Sequence, residues 1–280
     1  MHPILVKIGP ITIHYYGLMY VIAITIGLIL VIKEVRRKRI PLSSEDLFDL
    51  LLWTIPSAIL GARIYYVAFQ WGYYSRHPLD MIKVWQGGLA IHGGVIFGAI
   101  AVYLFCRIKK ISFWALTDAI APSLILGQVI GRIGNLMNGD AFGLPTTLPW
   151  GIRFPLDSPV GQAYPGLATH PSMIYEMILN ATIFTYLWRI REKNYRDGFT
   201  TATYFVLYSL ARSLVSFSRG DSLWLGPIRA AHVISAVLII GFCAFILRRH
   251  LHVRVTPQSA PPGRSDGPAD HQGPPPVSPM

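Results

Sequence analysis

Long apolar runs alternate with short basic clusters along most of this chain. Tyr15 to Ile32 and Gly87 to Cys106 each run without Asp, Glu, Lys or Arg, and both reach the roughly 18 residues that suggest a membrane-spanning helix. The same reading along the sequence predicts spans near 15–32, 47–69, 87–106, 111–132, 171–188, 199–217 and 230–247. The predicted fold is an all-α integral membrane protein with seven transmembrane helices. The stretch from 133 to 170, rich in Gly and Pro with little periodicity, is expected to form an ordered outer-face cap or loop region.

Composition agrees with this pattern. Hydrophobic residues make up 52% of the 280 and charged residues 14%, above and below the respective shares of a soluble domain, which excludes an ordinary soluble globule. A net charge of +11 raises nucleic-acid binding as a reading. The cations, however, sit in clusters between apolar runs rather than along one amphipathic face, so no nucleic-acid partner is expected and membrane orientation accounts for them. Lys33, Arg36, Arg37, Lys38 and Arg39 follow the first run; Arg107, Lys109 and Lys110 follow the third. Arg189, Arg191, Lys193 and Arg196 follow the fifth, and Arg248 and Arg249 the seventh. Every dense cluster follows an odd-numbered run, which predicts an N-terminus outside and a C-terminus in the cytoplasm.

The first sixteen residues lack the basic n-region and small-residue cleavage site of a signal peptide, so the first span is expected to be retained. Cys106 and Cys243 show no metal-ligand or disulfide spacing. Two units are expected: a membrane domain over 1–254 and a disordered cytoplasmic tail over 255–280, where Pro257, Pro261, Pro262, Pro268, Pro274, Pro275, Pro276 and Pro279 preclude a core. No internal repeat is visible, which argues against a transporter built on inverted repeats.

Ionisable residues inside spans are costly and are functional candidates by default. With the predicted orientation, Arg63, His92, Arg132, Glu176, Arg212 and His232 all fall in the outer half, at phospholipid head-group depth. Asp49 and Asp118 lie toward the inner side and suit a structural pair or a cap. Each outer residue has a plain alternative: Arg63 and Glu176 paired with each other or with backbone, Arg132 and Arg212 snorkelling to the surface, and His92 satisfied in the interior. Arg132, at the boundary, is expected to be replaceable without leaving a buried partner unpaired. The densest motif is Gly131-Arg132-Ile133-Gly134-Asn135-Leu136-Met137-Asn138-Gly139-Asp140-Ala141-Phe142-Gly143. Glycine lets backbone approach a ligand, the amides donate and accept, and arginine offers a planar fork to phosphate. A glycine-rich loop leaving the membrane is the equal alternative on chemistry alone.

This motif, together with His14 to Tyr20, Gly61-Ala62-Arg63, Gly87 to Gly94, His170 to Glu176 and Tyr208 to Arg212 in the same order, resembles the prolipoprotein diacylglyceryl transferase family over about residues 9 to 247. The resemblance implies a bacterial plasma-membrane enzyme with seven spans. Its reaction would move the diacylglyceryl group of phosphatidylglycerol to the lipobox cysteine of a prolipoprotein, without a cofactor and with release of glycerol 1-phosphate. It implies that Arg132 and Asn135 bind the phospholipid, that His92, Tyr16, Tyr208 and Arg212 serve the chemistry, and that Gly143 closes the signature. Asn138 and Asp140 within the motif, and Arg63, join the expected substrate-binding set. Two departures stand out: Asp140 replaces a usual Glu, and Ser216 stands where an acid is common, four residues after Arg212. A divergent member, or a membrane protein that binds or transports lipid in the same pocket, is the alternative. For the thiol, either His92 acts as general base, with burial and nearby arginines disfavouring its charged form, or the arginine field itself favours the thiolate.

The predicted orientation has a direct test. A cysteine probe at residue 160 should be labelled by a membrane-impermeant reagent from the outer face and one at residue 193 spared; the reverse pattern would invert the orientation.

Overall fold

The structure is a computed structural model that describes residues 4–9 and 11–254, so the predicted tail over 255–280 lies outside the described residues. An antiparallel hairpin of β1 (Ile4–Ile8) and β2 (Ile11–His14) leads into α1 (Tyr15–Arg37). There follow α2 (Ser44–Phe69), the single turn α3 (Trp71–Tyr74), two 3-10 turns at Pro78–Ile82 and Val84–Gln86, then α4 (Ile91–Lys109) and α5 (Phe113–Asn138). The region after α5 holds β3 (Ile152–Arg153), the short α6 (Pro159–Ala163) and β4 (Ala168–Thr169), with β3 paired to β4. Then come α7 (Ser172–Ile190), α8 (Phe199–Ser216), a hairpin of β5 (Trp224–Leu225) and β6 (Ile228–Arg229), and α9 (Ala230–Arg248).

Seven long helices therefore overlie the seven predicted runs. Five of them, α1, α2, α4, α5 and α9, are long and apolar enough to cross a membrane. Composition sets α7 and α8 apart, because their buried faces carry Glu176, Asn180, Thr200, Thr201 and Ser209. Those polar positions face neighbouring helices rather than lipid. Between α5 and α7, regular structure is confined to two-residue strands and one short helix.

Packing is pairwise: α1 lies along α5 and α2 along α4, while α7 joins α5 to α8 and α8 carries α9. The α2–α4 contact is backbone-close at Gly61 and Gly93, where a Cβ on Gly93 would strike the Gly61 carbonyl and stand 2.5 Å from the Tyr65 Cβ. The lack of a side chain at both glycines is what lets the two backbones approach.

The end of the bundle where α1 gives way to α2 is locked by apolar packing and by two buried acids. Val31, Val35, Leu47, Leu50, Phe105, Cys106, Leu116 and Ala119 join α1, α2, α4 and α5 in one cluster. Ser43 and Asp46 form a reciprocal capping box at the start of α2, satisfying donors that a helix start leaves open. Asp118 accepts from the backbone N–H groups of Gly198 (2.9 Å) and Thr201 (2.8 Å) and from the Thr201 hydroxyl (2.7 Å), and pairs with Lys38 at 3.3 Å. It therefore caps α8 from α5, the structural role its inner position suggested. Glu34 takes Arg37 in a two-point contact at 3.0 and 2.9 Å and reaches Arg191 at 3.4 Å, tying the end of α1 to the end of α7.

At the other end, residues 71–86 form an arm between α2 and α4 whose apolar side chains Trp71, Leu79, Ile82 and Trp85 are exposed. The arm is held by Arg63. Its Nε donates to the Met81 carbonyl (2.8 Å), Nη1 to those of Gly87 (2.8 Å) and Gly88 (3.0 Å), and Nη2 to that of Asp80 (2.6 Å). Arg63, expected from the sequence to bind substrate, here gives four hydrogen bonds to backbone carbonyls, and it does not pair with Glu176. A hydrogen bond from the Lys83 ammonium, with a second from the Tyr73 hydroxyl, holds the Asp80 carboxyl below the usual carboxylate range.

Val160 is buried, so the outer labelling probe belongs at the exposed Asp157 instead. For the inner cap, Asp118→Ala strips two backbone donors of their acceptor and should cost about 2 kcal/mol of stability. That loss is to be read as a lower thermal midpoint in detergent; an unchanged midpoint would remove Asp118 from the fold's supports.

Candidate active site at the outer helix ends

One carboxylate organises the opposite end of the bundle, where α5 ends and α7 begins. Glu176, one turn into α7, is 0% exposed, and its Oε1 accepts from Arg132 Nη2 of α5. Its Oε2 accepts from Arg212 Nη1 of α8 at 3.3 Å and from Arg219 Nη1, three residues past α8, at 3.4 Å. A carboxylate removed from water is stable only when paired, and three guanidinium groups converge to pair it.

The predicted motif continues from Arg132. Its Nη1 donates to Asn135 Oδ1 (2.7 Å), Asn135 Nδ2 donates to Asp140 Oδ1 (2.5 Å), and Asn138 Nδ2 donates to Asp140 Oδ2 (2.7 Å). Helical spacing explains part of this: 132 and 135 lie one turn apart on one face of α5. Asp140 folds back after Gly139, whose φ of +68° ends the helix. Asn138 and Asp140 also line an open cavity of about 680 Å³, together with Thr12, Ile13, His14, Tyr16 and Gly17 from the start of the chain. Tyr16 reaches that cavity from α1, and Tyr20 donates to its hydroxyl at 3.4 Å.

Tyr208 precedes Arg212 by one turn on α8. It stacks on Tyr204 with ring centroids 5.9 Å apart, and the Tyr204 hydroxyl accepts from Gln128 (2.8 Å), which in turn accepts from Asn180 at 3.4 Å. A polar layer between α5, α7 and α8 thus supports the arginine cluster from one turn deeper.

Gly143 crosses between two segments of the cap rather than facing the cavity. Its N–H donates to the His170 carbonyl at 3.1 Å, it bridges to Arg219, and the next residue, Leu144, donates to the Ser218 carbonyl at 2.8 Å. A Cβ at 143 would run into the His170 carbonyl and stand 2.7 Å from Ser172 Oγ. The motif's last glycine therefore lets the 218–220 segment, and with it Arg219, come down onto the cap.

The structure thus brings Tyr16, Arg132, Asn135, Asn138, Asp140 and Arg212 around Glu176 and the cavity, with Tyr208 alongside. His92 stands apart: it is exposed on α4, stacked on Tyr65 at 5.9 Å, and among the described residues it makes no hydrogen bond. The burial expected of it is absent. The expectation that Arg132 could be removed without stranding a buried partner is also corrected, since that partner is Glu176. Sequence reasoning placed Glu176 at the same end as Arg132 and Arg212 without assigning it to the site, and it passed over Arg219 and Asp221. Arg219 lies three residues past the end of α8, where helical spacing no longer applies.

Residues 3–248 match the family described as prolipoprotein diacylglyceryl transferase. Among curated relatives, a Nostoc species protein named phosphatidylglycerol–prolipoprotein diacylglyceryl transferase is 40% identical over 271 residues, covering 95% of both chains. Proteins of the same name from Trichormus variabilis and Limosilactobacillus reuteri are 43% and 38% identical, covering 83% and 90% of this chain and 84% and 93% of theirs.

Gly143→Ala should overpack the crossing and cost about 1–3 kcal/mol, seen as a lower thermal midpoint with faster proteolysis between residues 144 and 170. Wild-type behaviour in both assays would show that the crossing has room the geometry denies.

Proposed function

The chain belongs to the prolipoprotein diacylglyceryl transferase family, and we propose that the Glu176-centred arginine cluster and the cavity beside it are where its reaction takes place. The chain moves a diacylglyceryl group from phosphatidylglycerol to prolipoprotein. The observation that carries the site assignment is the convergence of Arg132, Arg212 and Arg219 on one fully buried carboxylate, joined through Asn135 to Asp140 at the cavity.

In this reading the lipid phosphate sits against Arg212 and Arg132. Arg212 has a single long contact to Glu176, and among the described residues its other nitrogens are free to donate; Arg132 keeps an Nε with no partner. The glycerol head group extends into the cavity toward Asn138 and Asp140, with Asn135 between phosphate and polyol. The acceptor is the lipobox cysteine. Its sulfur attacks the glycerol carbon that bears the phosphodiester, forming the thioether. The carbon–oxygen bond breaks, its electron pair leaves with the phosphate, and glycerol 1-phosphate departs, its freed oxygen taking up, in the net reaction, the proton that the thiol gave up. Negative charge grows on that phosphate in the transition state, where preorganised cationic donors help most. No cofactor enters the step. The exposure of His92 favours the assignment in which the arginine field lowers the cost of the thiolate, and leaves His92 a role in orienting groups along α4.

All seven long helices cross the bilayer in this proposal, with the N-terminus outside. At 1.5 Å per residue, the 18 residues of α8 reach about 27 Å, close to the roughly 30 Å hydrocarbon thickness. The polar faces of α7 and α8 are turned to α5, which keeps them out of lipid.

Arg132→Lys retains a charge for Glu176 but loses the planar fork, so it should fold and yet recover little of the transfer that Arg132→Ala removes. The expected loss is about 1.5–3 kcal/mol, one to two orders of magnitude in rate, measured on purified protein with phosphatidylglycerol micelles and a lipobox peptide. Near-wild-type transfer by Arg132→Ala would leave Arg212 as the main phosphate ligand.

A further inference from the structure

Arg219 is 7% exposed, yet Glu176 gives it only one long contact. Its principal partner lies two residues on: Nε donates to Asp221 Oδ1 at 2.8 Å and Nη2 to Asp221 Oδ2 at 2.5 Å. This two-point fork is the strongest geometry available to an arginine. The backbone of Arg219 is fixed at the same time by its bridge to Gly143. No acid on α8 shares the load. Ser216, one turn before Arg219, is buried, and its Oγ has no hydrogen-bond partner among the described residues.

We infer that Asp221 is a positioning residue for the transfer reaction: it holds Arg219 to itself and so leaves Glu176 to align Arg132 and Arg212. Arg212 and Arg219 compete for the same oxygen of Glu176, at 3.3 and 3.4 Å. With its fork filled by Asp221, Arg219 spares only Nη1 for that oxygen. Without Asp221, the whole guanidinium turns to Glu176 and draws the carboxylate away from Arg132 and Arg212, the two arginines assigned to the phosphate. The charge balance points the same way. Three guanidinium groups meet two carboxylates, while Asp140 stands off behind Asn135, so one positive charge remains to meet the single negative charge of a phosphodiester. Asp221 touches no reacting atom in this arrangement and acts through Arg219.

The inference rests on the arginine cluster being the reaction site, and the test separates the two. Full-length protein is purified in detergent, and transfer to a lipobox peptide is measured across phosphatidylglycerol concentrations. Asp221→Asn should lower kcat about tenfold and leave KM for phosphatidylglycerol within about threefold, because the added positive charge does not weaken binding of an anion. Asp221→Glu should restore at least half the activity. Ser216→Glu placed in the Asp221→Asn background should restore part of kcat, by giving Arg219 a carboxylate one turn away. Wild-type kcat in Asp221→Asn would overturn the inference, as would a loss confined to KM, or a kcat loss that neither carboxylate recovers in folded protein. If Asp221→Asn does not fold, the double variant decides: a folded, active double variant supports the positioning role and an unfolded one overturns it. Full activity in Arg212→Ala would instead count against the cluster as the reaction site.

Discussion

A carboxylate taken fully out of water at the end of a helix bundle is the constraint around which the outer half of this protein is arranged. Glu176 has no exposure, and the cost of burying it is offset only by guanidinium groups brought from three different stretches of chain. The dependence is mutual. Three arginines side by side would repel one another, and the acid lets them share a small volume without parting. The result is a group of cations whose positions are fixed before any ligand arrives, which is what electrostatic catalysis of a phosphate departure requires.

Much of this was legible in the linear sequence. Seven apolar runs foretold seven long helices, because hydrophobic length is a one-dimensional property. The motif from Gly131 to Gly143 foretold the chain from Arg132 through Asn135 to Asp140, because those residues are close in sequence and share a helix face and its cap. What the sequence could give was depth; it could not give azimuth. Arg63 and His92 lie at the same end as Arg132, but one turns to backbone carbonyls of the arm and the other to an exposed face of α4. Arg219 escaped notice because it lies past the end of an apolar run, where cations are common and carry no penalty to flag them. Asp221 escaped for the same reason.

The two ends of the bundle use buried acids differently. At one end Asp118 accepts from backbone N–H groups and pairs with Lys38, and Glu34 takes two arginines, in sets that join one helix to another. At the outer end Glu176 leaves donors on Arg132 and Arg212 open, and a cavity of about 680 Å³ lies beside the adjoining network. A firmly tied inner end lets the outer end hold charges that are not fully compensated among themselves, since the helices bearing them cannot drift apart to relieve the strain.

The grip of Arg63 on the arm also bears on how the chain is made. Its four carbonyl partners lie 17 to 25 residues further along the sequence, so α2 leaves the ribosome carrying an arginine whose acceptors do not yet exist. At roughly 5–20 residues per second, that interval lasts on the order of one to five seconds. Until it ends, the guanidinium has none of the carbonyls that hold it in the finished fold. The end of α2 is therefore complete only once the start of α4 has been made, where Gly61 and Gly93 bring the two backbones together.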